Sequence, residues 1–175
     1  MSKINIEFNI EEQEWLQYDK NIEKNLSEFL IEIIKYTKLK DVLELAQIEI
    51  SILLTNNNKI RELNKNYRQK DGATNILSFP LYDIDLRKNL DILEHLLGEN
   101  LILGDLVLSL EYLQKEAMDQ GKKIEYHLKH LLLHGLLHLI GYDHMLQEER
   151  EEMENLEIEI LSKLGIENPY YIDEI

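Results

Sequence analysis

Two segments of the chain alternate in polarity with a period of two. Ile4, Ile6, Phe8 and Ile10 are separated by Asn5, Glu7 and Asn9, and Ile48, Ile50, Ile52 and Leu54 repeat the pattern, which predicts two strands, each with one buried face. Between them Ile22, Leu26, Phe29, Leu30 and Ile33 recur at helical spacing, as in an amphipathic helix laid over a sheet. The order therefore opens β-α-β. After Thr55 the run Asn56-Asn57-Asn58 predicts a turn or a helix start, and Ile60, Leu63 and Tyr67 support a short helix that carries the basic cluster and is closed by Asp71-Gly72. Residues 76–81 predict a short strand that Pro80 confines to an edge or a strand end, and residues 101–109 a longer buried one. The stretch 82–100 between them mixes acidic and apolar residues and predicts a loop with a helical turn over 93–97, of no readable role. Residues 110–121 predict a helix stopped by glycine. A second helix runs over 124–140, apolar on nearly all sides from Leu131 onward, and so belongs in the core. Met153, Leu156, Ile160 and Leu164 mark a last amphipathic helix ended by Lys163 and Gly165. Strands lead and helices follow. This predicts one α+β domain over residues 1–175, a small mixed β-sheet of about four strands packed with about five helices around a central helix.

Composition narrows the chemistry. With no cysteine in the chain, disulfides, thiolate ligands and cysteine nucleophiles are excluded, and soft-metal chemistry falls to histidine. The opening residues alternate in polarity and there is no run of 18 apolar residues, so neither a signal peptide nor a membrane partner is expected and a cytoplasmic location is the default. The balance of 19 basic against 34 acidic residues, a net of −15, argues at first against a nucleic-acid partner. The distribution alters that reading. Residues 145–175 hold ten acidic and two basic side chains, whereas Lys59, Arg61, Lys65, Arg68 and Lys70 face only Glu62. One basic patch survives on an acidic protein.

Five of the six histidines fall between residues 127 and 144, three of them in the run His134-Gly-Leu-Leu-His138-Leu-Ile-Gly141-Tyr-Asp-His144. Residues four apart on a helix project from one face with β-carbons about 5–6 Å apart. Two imidazoles of one rigid helix can thus converge on an ion at zinc–nitrogen distances of about 2.0–2.1 Å. Gly141 can take the left-handed backbone that ends a helix, and the chain then doubles back to deliver His144 to the same ion. A single histidine on a leucine-rich helix reads as a core or surface side chain, and His127 and His130 keep that reading. Three at ligand spacing around a helix-ending glycine instead predict a metal held by His134, His138 and His144. Three protein ligands leave a position for water, as in catalytic rather than structural zinc. An all-imidazole set also suits copper, nickel or iron. The spacing is that of the zinc-peptidase signature His-Glu-x-x-His-x-x-Gly-x-x-His, except that Gly135 stands where the proton-accepting glutamate belongs, which disfavours peptide hydrolysis.

The same run resembles the hallmark of the YbeY family of bacterial endoribonucleases and ribosomal-RNA maturation factors. Asn64-Lys-Asn-Tyr67-Arg68-Gln-Lys70-Asp71-Gly-Ala-Thr74-Asn75-Ile-Leu-Ser78-Phe79-Pro80 is similar to the family's second motif, and Leu103-Gly104-Asp105-Leu-Val-Leu-Ser109 to its third. The second motif usually carries aspartate where this chain has Asn75, so an ionic role is not implied there. The resemblance implies a small mixed sheet with surrounding helices, a zinc-like ion on the three histidines and single-stranded RNA as substrate. It also implies work on small-subunit ribosomal RNA, including 3′-end maturation and quality control with the ribosome, and makes Arg68 the family's functional arginine. Lys59, Arg61, Lys65 and Lys70 then become candidate RNA contacts.

On this reading the ion acidifies its bound water for attack on phosphorus, while Arg68 pairs with the phosphate and stabilises its growing charge. The RNA 2′-hydroxyl is the other possible nucleophile. Asp143 and Asp105 are candidates for a general base, though Asp143 is equally suited to orient a ligand imidazole and Asp105 to cap backbone. Two rival readings stay open: a peptidase-like zinc hydrolase, and a non-enzymatic ribosome-assembly factor with a structural metal.

Overall fold

The computed structural model describes residues 3–83, 85–89, 95 and 99–171. Four strands, β1 (Ile4–Ile10), β2 (Gln47–Thr55), β3 (Ile76–Pro80) and β4 (Asn100–Ser109), form one sheet in the order β1-β2-β4-β3. β1 and β4 run parallel to β2, and β3 runs antiparallel to β4. The sheet is mixed, and Pro80 lies on an edge strand, where its missing N–H costs no ladder bond.

Among the described residues there are seven helices: α1 (Glu14–Tyr18), α2 (Ile22–Ile34), α3 (Leu39–Val42), α4 (Asn57–Arg68), α5 (Leu110–Asp119), α6 (Ile124–Ile140) and α7 (Gln147–Lys163). The two beyond the expected five are α1 and α3, each too short to leave a periodic signature. α1 nevertheless anchors the core, because Trp15 is fully buried and donates its indole N–H to the Thr55 carbonyl at 3.0 Å. α4 also ends earlier than Asp71-Gly72 suggested. Gln69 takes a left-handed backbone (φ 58°) and stops the helix at Arg68, while Asp71 turns back to accept from Arg61 at 2.8 Å. The helical turn expected over 93–97 falls largely outside the described residues.

The strand alternation sets the layers. Ile48, Ile50, Ile52 and Leu54 of β2 point with Leu106 and Leu108 of β4 into the main core, where α2 and α6 cover them. Leu53, Leu77, Val107 and Phe79 point the other way, against Ile60 and Leu63 of α4. α6 runs against β3 and β4 and touches α2, α5 and α7. It is buried almost all round, as its leucine run requires. A helix clamped on so many sides is a rigid base for the histidines it carries.

Candidate metal centre and cleft

His134 and His138 lie one turn apart on α6 and project to the same side. Gly141 (φ 120°) then ends the helix: its N–H bonds the His138 carbonyl at 3.1 Å and the Tyr142 N–H bonds the Leu137 carbonyl at 3.0 Å, the paired bonds of a glycine-terminated helix. The chain reverses, and His144 reaches both helical imidazoles, with ring centroids 4.8 Å from His138 and 5.6 Å from His134. One ring nitrogen from each of the three residues lies within 4.8 Å of the other two.

Hydrogen bonding fixes which ring nitrogens are bare. His138 Nδ1 lies 2.9 Å from the Tyr142 carbonyl, which can only accept, so Nδ1 carries the proton. His134 Nδ1 lies 2.6 Å from Glu157 Oε1 and donates to that carboxylate. Both Nε2 atoms are therefore lone-pair acceptors, and they face each other at 3.1 Å. Two acceptors cannot bond each other. A proton is a poor mediator, because burial, followed by the neighbouring His134 and His144, pulls the His138 imidazolium down to about 4. A cation satisfies both lone pairs. Two ligands of a tetrahedral ion bound at about 2.0–2.1 Å stand roughly 3.3 Å apart, close to the separation observed. The donor set fits a divalent transition metal.

A second group, His130, His134 and Glu157, also brings ligand-type atoms together. Its spacing is different. His130 Nε2 is 2.7 Å from Glu157 Oε2 and His134 Nδ1 is 2.6 Å from Oε1, distances of charge-assisted hydrogen bonds rather than of ligands around a shared ion. Glu157 is fully buried. Burial alone would raise its carboxyl, but the bonds from His130 and His134 outweigh it and hold the group down to about 2.

The three histidines stand at one end of a cleft of about 600 Å³ that also takes in Tyr67, Arg68, Lys70, Thr74, Asn75, Ser78, Phe79, Tyr82 and Tyr142. Arg68 and Lys70 thus reach it from the basic cluster; Lys59, Arg61 and Lys65 do not line it. Among the described residues Arg68 and Lys70 make no ion pair, whereas Arg61 is committed to Asp71. Asp143 borders the cleft and accepts from the His144 N–H at 2.7 Å. Asp105 is exposed beside Glu7, Asn9 and Ser51, on the sheet face that carries α4 and away from the histidines.

The family model described as "Endoribonuclease YbeY" matches residues 7–165. The chain belongs to that family. It is 38% identical over 176 residues to the endoribonuclease YbeY of Agrobacterium fabrum, covering 97% of this chain and 96% of that one. It is 48% identical over 129 residues to that of Pseudomonas putida, covering 74% and 76%. A Thermotoga maritima protein solved in solution shares the fold at a TM-score of 0.52 and 24% identity, over 93% of this chain and 91% of that one.

The structure also shows contacts that spacing did not reveal. Glu157 is one; its signal was a carboxylate on the apolar stripe of the last helix, four residues after Met153 and three before Ile160. Arg87 is another. It pairs with Asp85 and Glu152 and lays its guanidinium 3.8 Å over the Tyr142 ring, bracing the loop that carries His144. Asn75 donates to Glu116 Oε1 at 2.8 Å, and the same oxygen takes the His127 Nε2 contact at 2.6 Å. An aspartate in place of Asn75 would set two carboxylates against each other, so the amide suits this neighbourhood.

Proposed function

We propose that the chain is a metal-dependent endoribonuclease that cuts single-stranded RNA, with His134, His138 and His144 holding one zinc ion and Arg68 binding the scissile phosphate. The observation that carries this reading is the cleft itself, where bare imidazole nitrogens and the Arg68 and Lys70 side chains, which make no ion pair among the described residues, line one space in a member of an endoribonuclease family. When bound, the ion supplies Lewis-acid chemistry at phosphorus and a lowered pKa for water. Glu157 and the Tyr142 carbonyl hold the His134 and His138 tautomers with Nε2 free. The Arg68 guanidinium offers a planar fork that pairs with phosphate oxygens and offsets charge as it builds. Tyr67, Phe79, Tyr82 and Tyr142 give the cleft aromatic faces on which unpaired bases can stack. We further assign Lys70 to substrate binding inside the cleft and Lys59, Arg61 and Lys65 to RNA outside it. Small-subunit ribosomal RNA, processed at its 3′ end and under quality control with the ribosome in the cytoplasm, is the substrate proposed. Among the described residues no helix is long and apolar enough to cross a membrane.

The test is purified protein with added zinc, offered a single-stranded RNA, the same RNA as a duplex, and a peptide. Cleavage of the single strand alone is expected. Arg68→Ala should slow it by about 10²–10³-fold with metal content unchanged. Hydrolysis of the peptide but not the RNA would overturn the assignment. A 2′,3′-cyclic phosphate on the products would show attack by the 2′-hydroxyl instead of water.

A further inference from the structure

In that reading Glu157 holds the His134 tautomer through one oxygen, yet it is a fully buried charge with a second oxygen, on a helix that otherwise displays acid to solvent. Its three contacts explain it. Oε1 accepts from His134 Nδ1 at 2.6 Å, Oε2 is 2.7 Å from His130 Nε2, and the Tyr170 hydroxyl donates to Oε2. Among the described residues the buried His130 Nδ1 has no hydrogen-bond partner, as expected when Nε2 carries the proton toward the carboxylate and Nδ1 is a bare lone pair. Tyr170 lies past the end of α7 and packs edge-on to His130 with centroids 5.2 Å apart. Pro169 beside it is buried, and its carbonyl accepts from Lys122 at 2.5 Å. The segment after α7 is thus pinned over the far side of the metal centre.

We propose that Glu157 is the positioning residue of the metal centre, and that Tyr170 and His130 hold it in place, so that the segment after α7 tunes how tightly the cation is bound. The proposal rests on the reading that His134, His138 and His144 hold the ion. A carboxylate on the outer nitrogen of a ligand imidazole fixes the tautomer, prevents the ring from turning, and makes the inner nitrogen a stronger donor. Here the carboxylate has two oxygens to direct. The bonds from His130 and Tyr170 occupy one and leave the other aimed at His134. Three neutral imidazoles bring no charge to a dication, so Glu157 also supplies a buried negative charge one ring away.

The experiment measures zinc affinity by competition with a chromogenic chelator, together with the visible spectrum of the cobalt(II)-loaded protein, for the full chain and four variants. Glu157→Gln, nearly isosteric, should weaken zinc binding by about 10–100-fold and shift the cobalt bands. Tyr170→Phe, at a partly exposed position, should weaken it by a smaller factor in the same direction. His138→Ala and His144→Ala should each abolish tight binding. If they do, and Glu157→Gln and Tyr170→Phe keep wild-type affinity and cobalt spectrum, the positioning role is overturned while the three-histidine centre stands. If His138→Ala or His144→Ala retains full affinity, the centre itself is wrong. If His144→Ala retains it and Glu157→Gln abolishes it, the ion sits on His130, His134 and Glu157. Should Glu157→Gln fail to fold, as judged by its far-ultraviolet dichroism, Tyr170→Phe carries the test alone.

Discussion

Replacing Gly135 with alanine tests whether this glycine is there for packing. In an unconstrained helix interior the change is favourable by about 1 kcal/mol, and burying one more methyl group would add about 0.8 kcal/mol. The structure opposes both gains. A β-carbon at 135 would lie 2.6 Å from Ile76 Cδ1, 2.9 Å from Leu106 Cδ2 and 3.2 Å from Ser78 Oγ, whereas carbon atoms pack best at about 3.5–4.0 Å. Two methyl groups must each retreat by roughly 1 Å into a core where Leu106 is fully buried and Ile76 nearly so. The bond from Ser78 Oγ to the Gly135 carbonyl, 3.1 Å long, would be strained as well. Overpacking of this kind costs about 1–3 kcal/mol, so Gly135→Ala should destabilise by on the order of 1 kcal/mol. Urea denaturation in the presence of a chelator measures it without the metal's contribution. Ile76→Val removes the clashing Cδ1, so the double variant should be more stable than the sum of the two single changes. A Gly135→Ala protein more stable than wild type by about 1 kcal/mol, with no coupling to Ile76→Val, would refute the packing argument. Gly135→Glu, which restores the peptidase signature on paper, would force a carboxylate toward β3 and β4; it should yield an unfolded chain and no peptidase.

Three further outcomes follow from the same contacts. Zinc at a hundred times its dissociation constant should stabilise the folded chain by about 2.7 kcal/mol, seen as a higher melting temperature that a chelator reverses; His138→Ala should show no response to either. The Glu116 carboxyl is held below the ordinary range chiefly by the bond from His127, with burial opposing and Asn75 assisting. A depressed carboxyl stabilises the fold above its unfolded value and loses that contribution as pH falls through its folded one. The stability gap between wild type and Glu116→Gln should therefore be full near neutral pH and close on acidification, and a gap that does not move with pH would contradict the assignment. At about −0.7 per phosphate contact, Arg68 and Lys70 in the cleft contribute about −1.4 to the logarithmic salt slope of single-stranded RNA binding, and Lys59, Arg61 and Lys65 bring it toward about −3.5; a slope steeper than that needs more cations than the cluster of Lys59 to Lys70 offers.

Much of the fold could be read from the hydrophobic pattern, since β1, β2 and α2 each turn one consistent set of positions to a neighbour and α6 carries an apolar run on nearly all sides that belongs in the core. Elements of a single turn escaped, because four or five residues carry no period; Trp15 in α1 is visible only as a large apolar residue without a pattern around it. The ends of α4 and the bracing of the His144 loop escaped for another reason. Gln69 is not a residue type that announces a left-handed turn, and Arg87 reaches Glu152 across 65 positions. In the site, His134, His138 and His144 were legible because helical pitch alone brings two of them together and a glycine returns the third.

His127 and His130 show where such reading ends. As core side chains they are buried, but each lies against a carboxylate from another helix, Glu116 of α5 and Glu157 of α7. Neither pairing has a local spacing that a sequence can display, at separations of 11 and 27 residues. The acidic surplus hid the partner further, since Glu157 is one of many glutamates in α7 and differs from the rest only in facing inward. Its cost is instructive. A buried carboxylate is destabilising unless its oxygens are bonded, and replacement of a buried ionic group by apolar residues is often neutral or favourable for stability. A carboxylate kept in the core with three donors around it is therefore poorly accounted for by folding energy, and its contact with His134, the imidazole we propose as a metal ligand, supplies the missing reason.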